Sequence, residues 1–230
     1  WVVGFATIKF VVDQFGSIGG WGYESLAFLY GMSVLSHGLA VVLFIQTWGL
    51  GYWMIDGEFD RFLLRPMGLI FQFLFDDFNL IGFTDIIPGL MVFIYGCVKA
   101  GLPLTLTNIL LILCTLAGGT LIRGAVWMFC GSMSFWTKSP ADFTDMVGEL
   151  FERVSMYPLT IYPEWAQVLF TFLLPLAWIT FWPVKDMLGM DPDAFPVPLA
   201  VITLGVGLLL FAGSCAVFRA GIGKYESAGS

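Results

Sequence analysis

The stretch Ile55 to Pro66, IDGEFDRFLLRP, gathers an unusual share of the charge in an otherwise apolar chain. Set on a helix, Glu58, Arg61 and Arg65 fall at i, i+3 and i+7 and share one face, while Phe59, Phe62 and Leu63 share another. That pattern predicts an amphipathic helix over Asp56 to Pro66, lying along a membrane or against a partner. Pro66 ends it or opens the next helix, Met67 to Phe75, as its first residue. The chemistry on offer is docking: charges that meet counter-charges, and phenylalanines that anchor in a cleft.

Arg123 is the second residue with something to do, because an arginine at the centre of a membrane helix costs about 2.5 kcal/mol or more. Counted from the turn near Gly101, Arg123 is 22 residues along one apolar run, whereas Asp85 and Asp77 are 16 and 24 residues back along the preceding one. At about 1.5 Å per residue, Asp85 is offset by roughly 9 Å in depth and Asp77 by only about 3 Å. The expected partner is therefore Asp77 or Asp76 at the cytoplasmic boundary, in an intramembrane charge clamp between two helices or in a gate that moves. His37, the only histidine, lies in an uncharged run and is expected to hydrogen-bond a neighbouring helix rather than relay protons. Cys97, Cys114, Cys130 and Cys215 stand singly in apolar stretches, with neither a C-x-x-C pair nor a metal-ligand spacing, and read as small buried hydrophobes. No catalytic constellation and no metal site emerge.

Hydrophobic residues make up 58% of the 230 positions and charged residues 12%, about half the charge of a soluble domain. The elements that carry these residues must therefore be membrane helices. A net charge of -7 offers no basic patch to neutralise phosphates, which excludes nucleic acid. A helix of about 20 residues crosses a hydrocarbon core of about 30 Å, and runs long enough lie at about 24–48, 79–98, 103–130, 165–183 and 197–218. Residues 1–12 read as the remainder of a first span, truncated because the chain opens at Trp1 inside an apolar run, without the basic start of a signal peptide. The fold class is all-α integral membrane, with six transmembrane helices and the charged segment 55–77 between spans two and three. Long unbroken runs exclude a barrel, whose strands need only about 9 to 11 alternating residues.

With six alternating spans, Arg61, Arg65, Lys138, Arg153, Arg219 and Lys224 fall on one side and Lys99 and Lys185 on the other, so the first side is expected to be cytoplasmic. Ala212, Ala216 and Ala220 recur at i, i+4 and i+8 beside Gly213, a stripe that permits close helix contact within the chain or with a second subunit.

The run Gly57 to Asp60 followed by Leu63 to Pro66 resembles a signature of ABC-2-type transporter permeases. Tyr157 to Pro163 (YPLTIYP), Gly223 to Gly229 (GKYESAG), and Gly20-Trp21 with Leu29 to Gly31 are similar to further motifs of one branch of that family. The resemblance implies a single permease domain, 1–230, forming the membrane subunit of an ATP-binding cassette exporter in the inner (cytoplasmic) membrane. It implies as partners an ABC ATPase subunit dimer, a second permease, identical or paralogous, and membrane lipid. The ATPase interface it implies is the coupling helix: Asp56, Gly57, Glu58, Phe59, Asp60, Arg61, Phe62, Leu64, Arg65 and Pro66. ATP and Mg would sit on the ATPase, and the chain itself would be neither an enzyme nor a cofactor binder. Its residues agree, since the nearest approach to a phosphate-cradling loop, Gly221 to Tyr225, lacks the spacing and the hydroxyl that loop needs. Two other readings stand beside this one: an ion-coupled secondary transporter, which generally carries acids near the midplane, and a non-transporting membrane scaffold. The substrate is not legible, although aromatic, sparsely polar spans suit an amphiphilic cargo.

Overall fold

The computed structural model describes residues 2–75, 79–137, 142–190 and 195–225. Among them the chain is helical, with no strand. The helices are α1 (Val2–Phe15), α2 (Tyr23–Trp48), α3 (Leu50–Ile55), α4 (Asp60–Leu63), α5 (Leu69–Leu74), α6 (Phe83–Lys99), α7 (Leu106–Thr137), α8 (Asp142–Val154), α9 (Glu164–Val168), α10 (Phe181–Met187) and α11 (Leu199–Ile222). Four helical stretches among the described residues are long and apolar enough to cross a membrane: Tyr23–Met54, Leu80–Lys99, Leu106–Thr137 and Leu199–Ile222.

Helix α2 is apolar on all sides because it is surrounded: it is buried almost continuously from Leu26 to Thr47. Along one flank it runs antiparallel to α6 with the two backbones touching. A Cβ added at Gly31 would strike the backbone of Phe93, one at Gly96 the backbone of Phe28, and one at Gly38 the carbonyl of Gly82. Helices α7 and α11 run parallel to α2. Gly118 lies against Thr203, and Gly207 against Gly118 and Leu121. The Cys215 sulfur is 3.7 Å from that of Met128. The contact of α11 with α7 therefore uses its glycine and serine face, and Ala212, Ala216 and Ala220 are exposed. Among the described residues the alanine stripe is left uncovered.

The run 165–183 is not one helix, contrary to expectation. Helix α9 ends at Val168, one π-helical turn follows over Leu169–Leu173, and Leu174 is extended (φ -111°, ψ 100°). The cause is Pro175, which excludes the preceding residue from helical geometry. From there the chain reaches the middle of the bundle, where Thr180 Oγ donates to the Ser155 carbonyl at 3.2 Å. Phe181, the first residue of helix α10, packs on Trp21 with ring centres 5.6 Å apart, and the helix carries the chain back toward the end where α2 begins. Asp186 then accepts the Leu199 N–H at the start of α11, at 2.9 Å. Residues 164–187 thus dip in and return on one side.

The length of α2 is instead retraced by α8 and the chain from its end to Tyr162. Asp145 accepts from the indole of Trp48 at the far end of α2, Ser155 bonds Ser33 half-way along at 3.1 Å, and Thr160 donates to Gly19, beyond the near end, at 2.8 Å.

Candidate functional site

The charged segment folds more tightly than an amphipathic helix. Gly57 takes φ +73°, a conformation that L side chains rarely adopt, and this turns the chain between α3 and α4. Helix α4 is a single turn. Helix α5 begins after Gly68 rather than at Pro66, and the Gln72 side chain holds the connection by donating to the carbonyls of Arg65 and Met67.

Phe59 and Phe62 are fully buried within the chain's own aromatic box. Phe59 meets Phe135 of α7 at 5.6 Å between ring centres, Phe218 of α11 at 6.4 Å and Tyr225 at 5.0 Å. Phe62 stacks on Trp53 at 5.5 Å and packs edge-on to Phe73 at 5.6 Å. Offset and edge-to-face pairs of this kind contribute about 0.5–1.5 kcal/mol each beyond area burial. The two phenylalanines expected to anchor in a partner are therefore occupied: they fasten the segment to the ends of α7 and α11. Asp56, Glu58, Arg61, Leu64, Arg65 and Pro66 are exposed around them, while Gly57 and Asp60 are half-buried. Arg61 lies over the Trp53 and Phe62 rings at 5.1 and 4.9 Å, and Arg65 over Phe62 at 5.8 Å, so aromatic faces hold the guanidinium groups in place. Burial, and then the neighbouring Asp60 carboxylate, push the Tyr225 hydroxyl up to about 12.

Arg123 sits near the middle of the 32-residue α7. It is buried and surrounded by hydroxyls. Its Nε donates to Ser36 Oγ at 3.1 Å, and one terminal nitrogen donates to Ser33 Oγ at 3.0 Å and to Ser155 Oγ at 2.7 Å. The Ser155 hydroxyl donates its own hydrogen bond to the Phe151 carbonyl at 2.6 Å, which leaves its lone pairs for the cation. Asp76 and Asp77 lie outside the described residues. Asp85, the remaining acid considered for Arg123, pairs with His37 across α2 and α6 at 3.1 Å.

Sequence reasoning missed the acceptors of Arg123 and the ring partners of Phe59. Ser33 and Ser36, spaced i, i+3 within an apolar run, were a visible signal of a polar helix face. Ser155, Phe135, Phe218 and Tyr225 carry no local signal, since only the tertiary fold brings them near.

A family model described as "ABC-2 family transporter protein" matches residues 2–229. No curated protein and no solved structure matches the chain.

Proposed function

The chain belongs to the ABC-2 transporter family, and from that premise we propose that it is the permease subunit of an ATP-driven exporter, coupled to a separate ATPase through the turn Asp56 to Pro66. Membership across nearly the whole length is the observation that carries this reading, and it makes the chain a multi-pass membrane protein with a transport role. The finer points rest on geometry. The exposed rim of Glu58, Arg61, Leu64 and Arg65 is the surface offered to the ATPase. A displacement there is passed by Phe59 to Phe135 and Phe218, at the ends of α7 and α11, rather than absorbed by a loose loop. ATP and Mg belong to the partner.

In this reading the chain crosses the bilayer six times: by α1, α2, Leu80–Lys99, α7, the stretch from α8 to Tyr162, and α11. Residues 164–187 form a re-entrant hairpin on the outer side. Moving the fifth crossing takes Arg153 out of the cytoplasmic count. Arg61, Arg65, Lys138, Arg219 and Lys224 still outnumber Lys99 and Lys185, which supports the same orientation in the inner membrane. A second permease, identical or paralogous, completes the path.

The test is capture of a P-loop ATPase by the tagged chain at equal membrane expression, with Glu58→Ala and Arg61→Glu beside the wild type. Both variants are expected to insert normally, because exposed charge changes alter stability by no more than about 0.5 kcal/mol, and to lose the ATPase. Undiminished capture by both would return the rim to a helix end resting at the membrane surface.

A further inference from the structure

Helix α8 carries charge into the bundle. Asp142, Asp145, Glu149, Glu152 and Arg153 are five of its 13 residues. Its opposite face is buried: Val147, Gly148, Phe151 and Val154 pack inward, and Ser155 just beyond its end binds Arg123. The outward stripe is Met146, Glu149 and Arg153. Arg153 and Glu149 form an ion pair at 3.1 Å with side chains 78% and 66% exposed.

Depth makes that exposure informative. Arg123 is near the middle of α7, a helix about 48 Å long at about 1.5 Å per residue. Arg153, two residues from Ser155, therefore lies close to the level of Arg123. Glu149 lies about one turn, or roughly 6 Å, from Arg153 toward the Trp48 end of α2. Both positions fall inside a hydrocarbon layer of about 30 Å centred on α7. A charged pair facing acyl chains at that depth is costly, and such residues face a water-filled cavity or a bundle interior instead. Helix α11 shows what a lipid face looks like at the same level. Leu209, on the stretch of α11 between the contacts with Leu121 and Met128, is 75% exposed and stands between Leu208 and Leu210.

We infer that the Met146–Glu149–Arg153 stripe of α8 lines a water-filled passage through the membrane. The inference rests on the permease reading for what passes along it. It also gives the chain a polar wall that none of the four long apolar helices among the described residues supplies, bearing both signs of charge and suited to a cargo with a charged or zwitterionic group.

Solvent access tests it without any transport assay. Single cysteines at Glu149, Arg153, Met146 and Leu209 are placed in a background lacking the four native cysteines. The protein, with whatever partners copurify, is held in lipid nanodiscs open to solvent on both faces and treated with a charged, membrane-impermeant thiosulfonate. Met146→Cys removes no charge and keeps the test alive if loss of Glu149 or Arg153 prevents folding. The stripe positions are expected to react at least about tenfold faster than Leu209→Cys, because the reactive thiolate forms only where water reaches it. Reaction at the Leu209→Cys rate throughout the stripe would overturn the passage. If slow reaction came with disulfide cross-linking between copies, the face would be a dry contact between subunits. Failure here leaves ATPase capture untouched, so the two readings fall separately.

Discussion

Around Arg123 the charge is inside and hydroxyls converge on it; around Phe59 the rings are inside and Asp56, Glu58, Arg61 and Arg65 stand on the rim. Both clusters tie three or more distant segments together, and each does so with the group that its surroundings would otherwise penalise. Buried among the helices, the Arg123 guanidinium is cut off from bulk water, so it serves as a node whose directional donors fix α2, α7 and the end of α8. At the end of the bundle water is available, so charge is left on the surface and apolar area provides the adhesion. The difference is between a joint held by geometry and one held by volume.

The largest expected effect breaks the joint held by volume. Phe59→Ala is expected to cost about 3–5 kcal/mol, because a buried ring is replaced by a cavity bounded by Phe73, Phe135, Phe218 and Tyr225. The loss is read as a lowered midpoint of thermal aggregation in detergent. Surface behaviour, a change within about 0.5 kcal/mol, would mean that the ring is not seated.

Breaking the joint held by geometry is expected to cost less. Ser155→Ala removes a hydrogen bond to a charged group, about 1.5–3 kcal/mol. The same substitution in an Arg123→Leu background should cost distinctly less, since the cation is gone. An equal cost in both backgrounds would show that Ser155 serves the Phe151 carbonyl and not Arg123. Arg123→Lys sharpens the contrast: one ammonium lacks the planar fork that reaches Ser36 on one side and Ser33 with Ser155 on the other, so Lys is expected to recover little.

The smallest effect is a titration. The Tyr225 hydroxyl is raised from its ordinary value of 10 to about 12, so what its seating in the box contributes to stability is fully present below pH 10 and is lost as pH climbs from 10 to 12. The tyrosinate absorbance of wild type minus that of Tyr225→Phe is expected to show one late-titrating residue. A difference curve centred near pH 10 would place the ring outside the box.

These clusters also show where sequence was readable. The shared face of Phe59 and Phe62 was visible from their spacing, but its destination was not, because rings from α7, α11 and the tail arrive only through the tertiary fold. Arg123 is visible in sequence as a cost, but its depth is not. Counting from Gly101 assumed two spans level at that turn, whereas backbone contact sets the register of α6 against α2 and α7 starts only at Leu106. The break in the run 165–183 is legible at its prolines: hydropathy sums across Pro175 and Pro183 as if they were neutral, while backbone geometry treats Pro175 as a stop. Helix α8 was hidden for the opposite reason. Its charges keep it out of a search for uncharged apolar runs, although amphipathic spacing over 13 residues marks a helix.

The bare contact between α2 and α6 has a mechanical consequence. Interlocked side chains can be unlocked and re-engaged one turn along, which is how a helix ratchets past its neighbour by about 5.4 Å. Where Gly31 meets the Phe93 backbone and Gly96 meets that of Phe28 there are no teeth to disengage, and a one-turn slide would drive Ala27 or Leu35 into the place Gly31 leaves empty. The pair behaves as one laminated beam that can tilt or swing but cannot shear. Any alternation of the protein between shapes must then be articulated elsewhere, at the seams this beam shares with α7 and α8.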